Sequence, residues 1–219
     1  MERIRKLLES GTGVRWLFHG DSITHGAVHT YGQRDYTELF AERIRAELRR
    51  RRDLVIKSAF DGDTTEEVLA DFDVRVEAVR PQVVWLMIGM NDCSTKRQIT
   101  PELFRVNLDT IATRTESLGA FLVLQTPNPI LTGQDPTREP RFENYLDILR
   151  PVAATRNLPL IDHVRHWRGE EARRPGMTRY WMSDACHPNQ YGHVAFAELL
   201  FRELGIFEPA SPTCRLFKP

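Results

Sequence analysis

The sequence lacks several features that would indicate particular classes of protein. Its three cysteines, Cys93, Cys186 and Cys214, are odd in number and irregularly spaced, which argues against a disulfide framework. No cysteine–histidine cluster has the spacing of zinc ligands. No apolar run approaches the roughly 20 residues that a membrane-spanning helix needs. We therefore expect no structural disulfide, no metal centre and no membrane span.

The chain also lacks an excess of charge of either sign. Its 219 residues include 30 basic and 30 acidic side chains, so the formal net charge is zero. Because no overall field attracts nucleic acid or an anionic membrane, we expect neither as a partner; a small-molecule partner is expected from the motifs described below. The first nine residues are amphipathic and lack the apolar core and cleavage site of a signal peptide, which predicts a cytoplasmic protein unless this is a trimmed secreted form. The sequence leaves the oligomeric state open.

Apolar patterns of strand and helix type alternate about five times along the chain. Strands are predicted at residues 14–19, 54–56, 83–88, 120–125 and 158–162. Helices are predicted at about 35–52, 64–80, from 100 onward, at 142–155 and at 191–204. This alternation predicts one α/β domain over residues 1–219, with its core at about 14–207. We expect a flavodoxin-like, three-layer α/β/α fold whose five-stranded parallel sheet has the order 2-1-3-4-5.

Several local expectations follow from the same patterns. The run Arg49–Arg52 is interpreted as the solvated end of the first long helix. Pro151 is expected to kink or break its helix. Residues 163–183 are expected to form a polar loop, solvated by default. Some of its larger side chains are expected to line a substrate cleft, the candidates being Trp167, Arg173, Arg174, Arg179, Tyr180 and Trp181. The segment after Phe207 is expected to pack loosely.

The most informative stretch is Gly20-Asp21-Ser22, which ends the first apolar run. Ser22 is placed at the carboxyl end of a parallel strand, where ligands bind in open α/β sheets. One interpretation makes Ser22 a nucleophile; the other makes it only a helix N-cap, because Gly, Asp and Ser all favour turns. The two interpretations are distinguished by whether other residues of the chain supply catalytic partners for Ser22.

Four further residues complete a set that acyl transfer would need. His187 offers a base, and histidine has an ordinary pKa of about 6.5. Asp184, three residues earlier, can orient that imidazole. Backbone N–H groups of Ser22 and Gly62 and the side-chain amide of Asn91 can donate to an oxyanion. The catalytic prediction is therefore Ser22, Asp184 and His187, with Ser22, Gly62 and Asn91 as the oxyanion hole.

Four blocks of the sequence resemble those of the GDSL, or SGNH, hydrolases. In chain order they are Gly20-Asp21-Ser22-Ile23, Gly62-Asp63-Thr64, Gly89-Met90-Asn91-Asp92 and Asp184-Ala185-Cys186-His187-Pro188-Asn189. The resemblance spans roughly residues 16–200. It implies a flavodoxin-like fold and serine ester hydrolysis without a cofactor. It also implies that Ser22 is the nucleophile, Gly62 and Asn91 oxyanion donors, His187 the base and Asp184 its orienter.

The substrate is less closely specified. A small acyl group, acetyl above all, on a carbohydrate or small alcohol suits one compact domain without an apolar lid. Thioesterase or lysophospholipase activity would use the same residues, and a non-catalytic binder of a small molecule or sugar could share the fold.

Other polar residues have simpler interpretations. His25 and His29 are spaced i, i+4, but no third metal ligand is evident, so they are interpreted as loop or surface histidines. Asp21 could belong to a pair of glycosidase carboxylates, but is interpreted as a brace for the Ser22 turn. Cys93 and Cys186 lie beside the third and fourth blocks. Each could be a catalytic thiol and is more simply a small side chain in a tight site.

Overall fold

The sheet has five parallel strands. The computed structural model describes residues 1–26 and 28–218, and its strands are Arg15–Gly20 (β1), Leu54–Lys57 (β2), Val83–Met87 (β3), Phe121–Gln125 (β4) and Leu160–Ile161 (β5). Neighbours pair in parallel in the order β2-β1-β3-β4-β5, which confirms the predicted topology. Because β3 has partners on both sides and helices around it, it is buried at all positions, as its unbroken apolar run predicts.

Helices flank the sheet as two sets. Within the described residues the α-helices are Glu2–Glu9 (α1), Ser22–His25 (α2), Tyr36–Glu42 (α3), Thr65–Ala70 (α4), Phe72–Arg75 (α5), Pro101–Ser117 (α6), Glu139–Thr155 (α7), His163–Arg173 (α8), Met177–Tyr180 (α9) and Gln190–Leu204 (α10). Helices α3, α8 and α10 pack together in one set, and α4, α6 and α7 in the other. No helix of the described residues is both long and apolar enough to cross a membrane.

Side-chain caps set the starts of the helices that follow the strands. Asp35 and Glu38 form a capping box at α3, and Thr64 and Glu67 form another at α4. Thr100 caps α6, where its Oγ1 accepts from the Leu103 N–H at 3.1 Å. The sequence predicts these starts because the caps lie at fixed offsets from their partners.

The first long helix ends earlier than predicted. A π-helical turn at Arg43–Glu47 follows α3, and Arg49 has a φ of +56°, so the run Arg49–Arg52 lies beyond the helix. Arg50 turns back to bind Asp53, with Nε–Oδ2 at 2.8 Å. Asp53 is buried and also accepts from the Trp16 indole at 2.8 Å. The contacts of Asp53 with Arg50 and Trp16 fix the chain after Glu47. Arg50 therefore forms an ion pair and does not belong to a solvated helix end.

Two other helix predictions need correction. The predicted helix at 64–80 is divided into α4, α5 and a 3₁₀ turn at Glu77–Val79, because Asp71 and Val76 leave the helical conformation. Helix α7 continues through Pro151 for 17 residues and does not break. Proline deprives the Asp147 carbonyl of its helical partner, but Asp147 is exposed, so water can take that place.

The prediction of a polar loop at 163–183 is wrong. These residues form α8 and α9, and Trp167 and Trp181 are fully buried against each other, with ring centroids 5.0 Å apart. Neither tryptophan lines a cleft. Three arginines of α8 face solvent, while His163, Val164 and Trp167 are buried in the core, so a mostly polar composition conceals a short amphipathic helix.

The C-terminal segment is held more closely than expected. Thr213 is buried, and its N–H and hydroxyl donate to Glu47 at 2.8 and 2.7 Å. Lys218 pairs with Glu198 and lies 5.6 Å from the Trp181 ring centroid. Polar contacts therefore tie the segment after Phe207 to two helical elements.

Candidate active site

Ser22 lies just beyond the carboxyl end of β1, at the start of α2. The strand ends at Gly20, which has a φ of +145°, and a Cβ there would lie 2.0 Å from the Met87 carbonyl oxygen. Asp21 is the N-cap of α2, because its Oδ1 accepts from the Ile23 N–H at 3.0 Å. The cap is therefore Asp21, and the alternative that made Ser22 the cap is wrong. In this turn Gly20 permits the close approach to Met87, Asp21 caps α2, and Ser22 carries the hydroxyl.

The Ser22 side chain meets His187, which is 165 positions away in the chain. Ser22 Oγ and His187 Nε2 are 2.9 Å apart. On the other side of the ring, His187 Nδ1 lies 2.9 Å from Asp184 Oδ2. Asp184 Oδ1 also accepts from the backbone N–H groups of Cys186 and His187, at 2.9 and 2.8 Å. The structure thus joins the predicted serine, histidine and aspartate in one continuous chain of hydrogen bonds.

The partners of His187 determine which of its nitrogens carries the proton. A carboxylate only accepts, so Nδ1 is the donor to Asp184 and Nε2 keeps a lone pair for the Ser22 hydroxyl. Burial raises the pKa of Asp184, but its hydrogen bonds from the Cys186 and His187 N–H groups lower it further, leaving it below its ordinary value. The ionised carboxylate therefore maintains the tautomer in which His187 can accept a proton from Ser22.

Gly62 and Asn91 lie in two turns that are tied to each other and to the end of β1. The Phe60 N–H donates to the Gly20 carbonyl at 3.1 Å, which holds the Gly62 turn against the strand end. Asn91 Nδ2 donates to the Asp63 carbonyl at 3.0 Å. Gly62 has a φ of +82°, a conformation that side chains other than hydrogen disfavour. The second and third sequence blocks therefore meet at the rim that carries Ser22.

Three donors at this rim remain available to a ligand. Among residues 1–26 and 28–218, the N–H groups of Ser22 and Gly62 have no hydrogen-bond acceptor. The Asn91 amide uses one of its two N–H groups on Asp63, which leaves the other. These are the groups that the sequence analysis predicts as oxyanion donors.

Sequence reasoning missed Arg138, which holds the Asn91 amide from behind. Arg138 Nη2 donates to Asn91 Oδ1 at 3.0 Å, and its Nε donates to the Met90 carbonyl at 3.0 Å. Asp135 holds the guanidinium in turn, with Nη1–Oδ2 at 2.8 Å. Because Arg138 lies in the irregular segment after β4, no periodic pattern or motif in the sequence could have revealed it.

Sequence reasoning also missed the position of His29. Its ring stacks on that of His187, with centroids 3.7 Å apart and planes 5° apart, and its Nδ1 lies 3.6 Å from Asp184 Oδ2. The i, i+4 spacing with His25 gives no shared helical face, since α2 ends at His25. His25 instead contacts Asp61, with Nδ1–Oδ1 at 2.7 Å. The two partners of His29, His187 and Asp184, come from the far end of the chain.

The cysteines beside the site are not poised for catalysis. Burial raises the pKa of the Cys93 thiol and of the Cys186 thiol to about 12 each. Cys93 donates to the Met90 carbonyl at 3.2 Å, and Cys186 Sγ lies 3.4 Å from His187 Nδ1. Since the thiolate is the nucleophilic form, both side chains are better described as packing groups than as nucleophiles.

Two buried carboxyl groups support the turns of the site. Burial raises the pKa of Asp21 to about 7 and that of Asp92 to about 6. Asp92 Oδ1 accepts from the Thr65 N–H and hydroxyl, at 2.9 and 2.6 Å, and so ties the Asn91 turn to α4. Asp21 is completely buried, so it cannot contact a substrate as a glycosidase carboxylate would.

A separate cavity of about 690 Å³ has no part in this site. It is lined by residues at the amino ends of β4 and β5, among them Ala120, Phe121 and Pro159, and by the first residues of α1. Ser22 and Asn91 follow the carboxyl ends of β1 and β3, at the opposite edge of the sheet.

Known proteins share both sequence and fold with this chain. An acetylxylan esterase from Geobacillus stearothermophilus is 25% identical over 219 residues, covering 90% of this chain and 97% of that protein. A lipase/acylhydrolase structure from Enterococcus faecalis has a TM-score of 0.76 and 29% identity, covering 90% of this chain and 99% of that one. The structure of Axe2, an acetylxylan esterase from Geobacillus stearothermophilus, has a TM-score of 0.74 at 23% identity, a likeness of fold, and covers 92% and 98%.

The family model that matches covers most of the chain. The model of the GDSL-like lipase/acylhydrolase family matches residues 18–195, a range that includes Ser22, Gly62, Asn91, Asp184 and His187. The chain therefore belongs to the GDSL-like lipase/acylhydrolase family and is a carboxylic ester hydrolase.

Proposed function

We propose that the protein removes small acyl groups, acetyl above all, from carbohydrate esters through an acyl-enzyme on Ser22. The observation that carries the proposal is the hydrogen-bond chain from Ser22 Oγ through His187 to Asp184, with both short contacts at 2.9 Å. This arrangement joins a nucleophile, a base and an orienting carboxylate, the three groups that acyl transfer requires.

Acylation begins with proton transfer from Ser22 to His187. As Oγ attacks the carbonyl carbon of the ester, His187 Nε2 takes the hydroxyl proton and Asp184 stabilises the imidazolium through Nδ1. The tetrahedral intermediate then collapses. The bond to the alcohol oxygen breaks, His187 returns the proton to that oxygen, and the acyl group stays on Ser22.

The negative charge of the tetrahedral intermediate needs donors in fixed positions. The N–H groups of Ser22 and Gly62 and the second N–H of Asn91 supply them, with no internal acceptor to give up among the described residues. Arg138 fixes the Asn91 amide so that its nitrogen, and not its oxygen, is presented.

Deacylation repeats these steps with water. His187 Nε2 takes a proton from water while the water oxygen attacks the acyl carbon, and the same donors hold the second oxyanion. Collapse returns the proton to Ser22 Oγ and releases the carboxylic acid. No residue beyond those already named and no cofactor takes part in this sequence.

Two observations support a carbohydrate as the alcohol part of the substrate. The similar protein from Geobacillus stearothermophilus is an acetylxylan esterase. In this chain the site is open: the Asp184 side chain is 46% exposed, and Tyr31 is 68% exposed with its hydroxyl 2.8 Å from Ser183 Oγ. An exposed aromatic face beside the loop that carries the base suits a sugar ring better than a flexible lipid chain.

Kinetics on a series of esters tests the proposal. We expect kcat/KM to fall from p-nitrophenyl acetate to the butyrate and octanoate, and acetylated xylooligosaccharides to release acetate. Ser22→Ala should abolish both activities, with unchanged folding by circular dichroism as its control. A preference for octanoate, for lysophospholipid or for an acyl thioester would contradict the acetyl-carbohydrate assignment. Equal hydrolysis by Ser22→Ala would contradict the mechanism itself.

A further inference from the structure

One face of the His187 imidazole is covered by a second imidazole, that of His29. The ring centroids are 3.7 Å apart and the planes are 5° from parallel. The two rings are therefore in van der Waals contact, so a turn of His187 about its Cβ–Cγ bond, in either sense, would push one edge of its ring into His29. The stack thus fixes the plane in which Nδ1 and Nε2 of His187 lie.

The loop that carries His29 is anchored at the two residues that follow it. Thr30 is buried, and its hydroxyl donates to the Gly26 carbonyl at 3.0 Å. The Tyr31 hydroxyl lies 2.8 Å from Ser183 Oγ, which is next to the sequence block that carries the base. Because one contact holds the loop to the end of α2 and the other holds it to the fourth block, the ring of His29 is kept against its partner.

We propose that His29 is a positioning residue whose ring holds the His187 imidazole in place while Ser22 carries the acyl group. His29 acts through His187 and transfers no proton itself. The role belongs to the flat face of the ring, since His29 Nδ1 is 3.6 Å from Asp184 Oδ2, too far for a direct hydrogen bond. This inference rests on the proposed function of Ser22 and His187.

The contacts that hold His187 differ between the free enzyme and the acyl-enzyme. In the free enzyme its ring has three: Ser22 Oγ and Asp184 Oδ2, each at 2.9 Å, and the face of His29. Acylation replaces the hydroxyl proton of Ser22, so this oxygen no longer donates to Nε2. The hydrogen bond to Asp184 is then a single point of attachment, about which the ring can swing. His29 therefore matters most in deacylation, when Nε2 must accept a proton from water.

His29 suits this position because it stays uncharged at neutral pH. Burial, and then the charge of a protonated His187, lower the pKa of His29 below its ordinary value. The carboxylates of Asp184 and Asp61 act in the opposite direction but do not outweigh these two causes. When His187 becomes an imidazolium, it faces the π system of a neutral ring and not a second cation. A phenyl ring at this position should hold the base equally well.

The rate at which the acetyl-enzyme decays tests this role. His29→Ala removes the ring, whereas His29→Phe keeps a flat ring without an ionisable nitrogen. His25→Ala is the matched control, because it removes an imidazole of the same stretch that binds Asp61 and stacks on Phe60 instead. Each protein is mixed with p-nitrophenyl acetate at about pH 8, where histidine is neutral. Rapid-quench mass spectrometry then follows the fraction of chains that carry one acetyl group, and its decay after the substrate is consumed gives the deacylation rate constant.

His29→Ala should lower the deacylation rate constant about 10-fold and make the acetyl-enzyme accumulate, because the base is no longer held in position. Its kcat/KM, which reports acylation alone, should fall by less than about threefold. His29→Phe and His25→Ala should stay within about twofold of wild type in both quantities. This division between the two steps distinguishes positioning of the base from a general loss of folded enzyme, which would lower both equally. If His29→Ala does not fold, His29→Ser takes its place.

Three results would overturn the role of His29 and leave the proposed function standing. They are an unchanged deacylation rate constant in His29→Ala, an equal fall in deacylation and in kcat/KM, and a loss in His29→Phe or His25→Ala as large as that in His29→Ala. A wild-type protein that forms no acetyl-enzyme on Ser22 would instead contradict the proposed function, and the inference with it.

Discussion

Arg138 holds the amide of Asn91 in one orientation. The guanidinium donates to Asn91 Oδ1 at 3.0 Å, so the amide nitrogen faces the Asp63 carbonyl and the open rim of the sheet. An amide flip would place Nδ2 against a cation and Oδ1 against a carbonyl oxygen. Arg138 therefore preorganises a donor whose hydrogen bond becomes strongest when negative charge develops on the substrate oxygen.

Replacing Arg138 with alanine should lower kcat about 10-fold with little change in KM, because a disordered donor weakens binding of the transition state more than of the ground state. Steady-state kinetics on p-nitrophenyl acetate provides the measurement. Arg141→Ala is the matched control, since Arg141 binds the Ser94 and Ile99 carbonyls but not Asn91. Equal losses of kcat in the two variants would show that Arg138 acts only through general stability.

Asp35 should make the stability of the protein depend on pH. Burial raises the pKa of Asp35, but hydrogen bonds from Lys57 and Thr37 lower it further, to below its ordinary value. A carboxyl whose folded-state pKa is depressed contributes stability that is present above its unfolded pKa, about 3.9, and is lost as pH falls through the folded value. Lys57 Nζ also donates to the His25 carbonyl at 2.8 Å, so this pair anchors the end of α2 as well.

Asp35→Asn keeps the shape of the cap but removes the charge, and should lower the free energy of unfolding at pH 7 by about 1–3 kcal/mol. Urea unfolding of both proteins between pH 7 and pH 3 measures the difference. It should shrink as pH falls below about 4, where Asp35 of the unfolded chain begins to take up a proton while the folded protein still holds the carboxylate charged. A difference that is constant with pH would mean that the carboxylate charge contributes nothing.

Cys186 should be dispensable for hydrolysis. Its thiol is buried and stays protonated, so Cys186→Ala should retain most of the activity and lose about 1 kcal/mol of stability to a small cavity. Iodoacetamide should label the less buried Cys214 in the folded protein and leave Cys93 and Cys186 unmodified until urea is added. Loss of hydrolysis in Cys186→Ala with normal folding would make the thiol a participant.

Gly20 should tolerate no side chain. A Cβ at Gly20 would lie 2.0 Å from the Met87 carbonyl, which is backbone of the neighbouring strand and cannot move aside. Gly20→Ala should therefore lower the free energy of unfolding by about 4 kcal/mol or prevent folding. Gly133→Ala is the control: Gly133 also has a positive φ, +75°, but nothing within 4 Å of its Cβ position, so it should cost only about 1–2 kcal/mol. Thermal unfolding of both variants provides the comparison.

The sheet could be predicted because it depends on local signals, and the meeting of Ser22 with His187 because the four sequence blocks resemble those of a known hydrolase family. Each strand is an apolar run that ends in a turn, and parallel strands bring their carboxyl ends to one rim. Contacts between distant residues could not be predicted in this way. Arg50 leaves the helical path because it pairs with buried Asp53, which also binds the Trp16 indole, and His29 stacks on His187 because of the path that a loop takes.

Composition was also misleading where only one or two side chains per turn face the core. Residues 163–183 are mostly polar, yet Trp167 and Val164 anchor α8 in the core. Val106 of α6 is apolar but 57% exposed, because other positions of that helix, including Leu108 and Ile111, fill the interface. An isolated apolar residue on a long helix does not specify its direction; the packing of the whole face does.

The identity of the nucleophile is tested most directly by locating a covalent adduct. A fluorophosphonate reacts with an activated serine, and peptide mass spectrometry identifies the modified residue. The hydrogen bond from Ser22 Oγ to His187 Nε2 predicts one adduct per chain, on Ser22, formed quickly in wild type, slowly in His187→Ala and not at all in Ser22→Ala. An adduct on another residue, or equal labelling of Ser22→Ala, would contradict the assignment of Ser22 as the nucleophile.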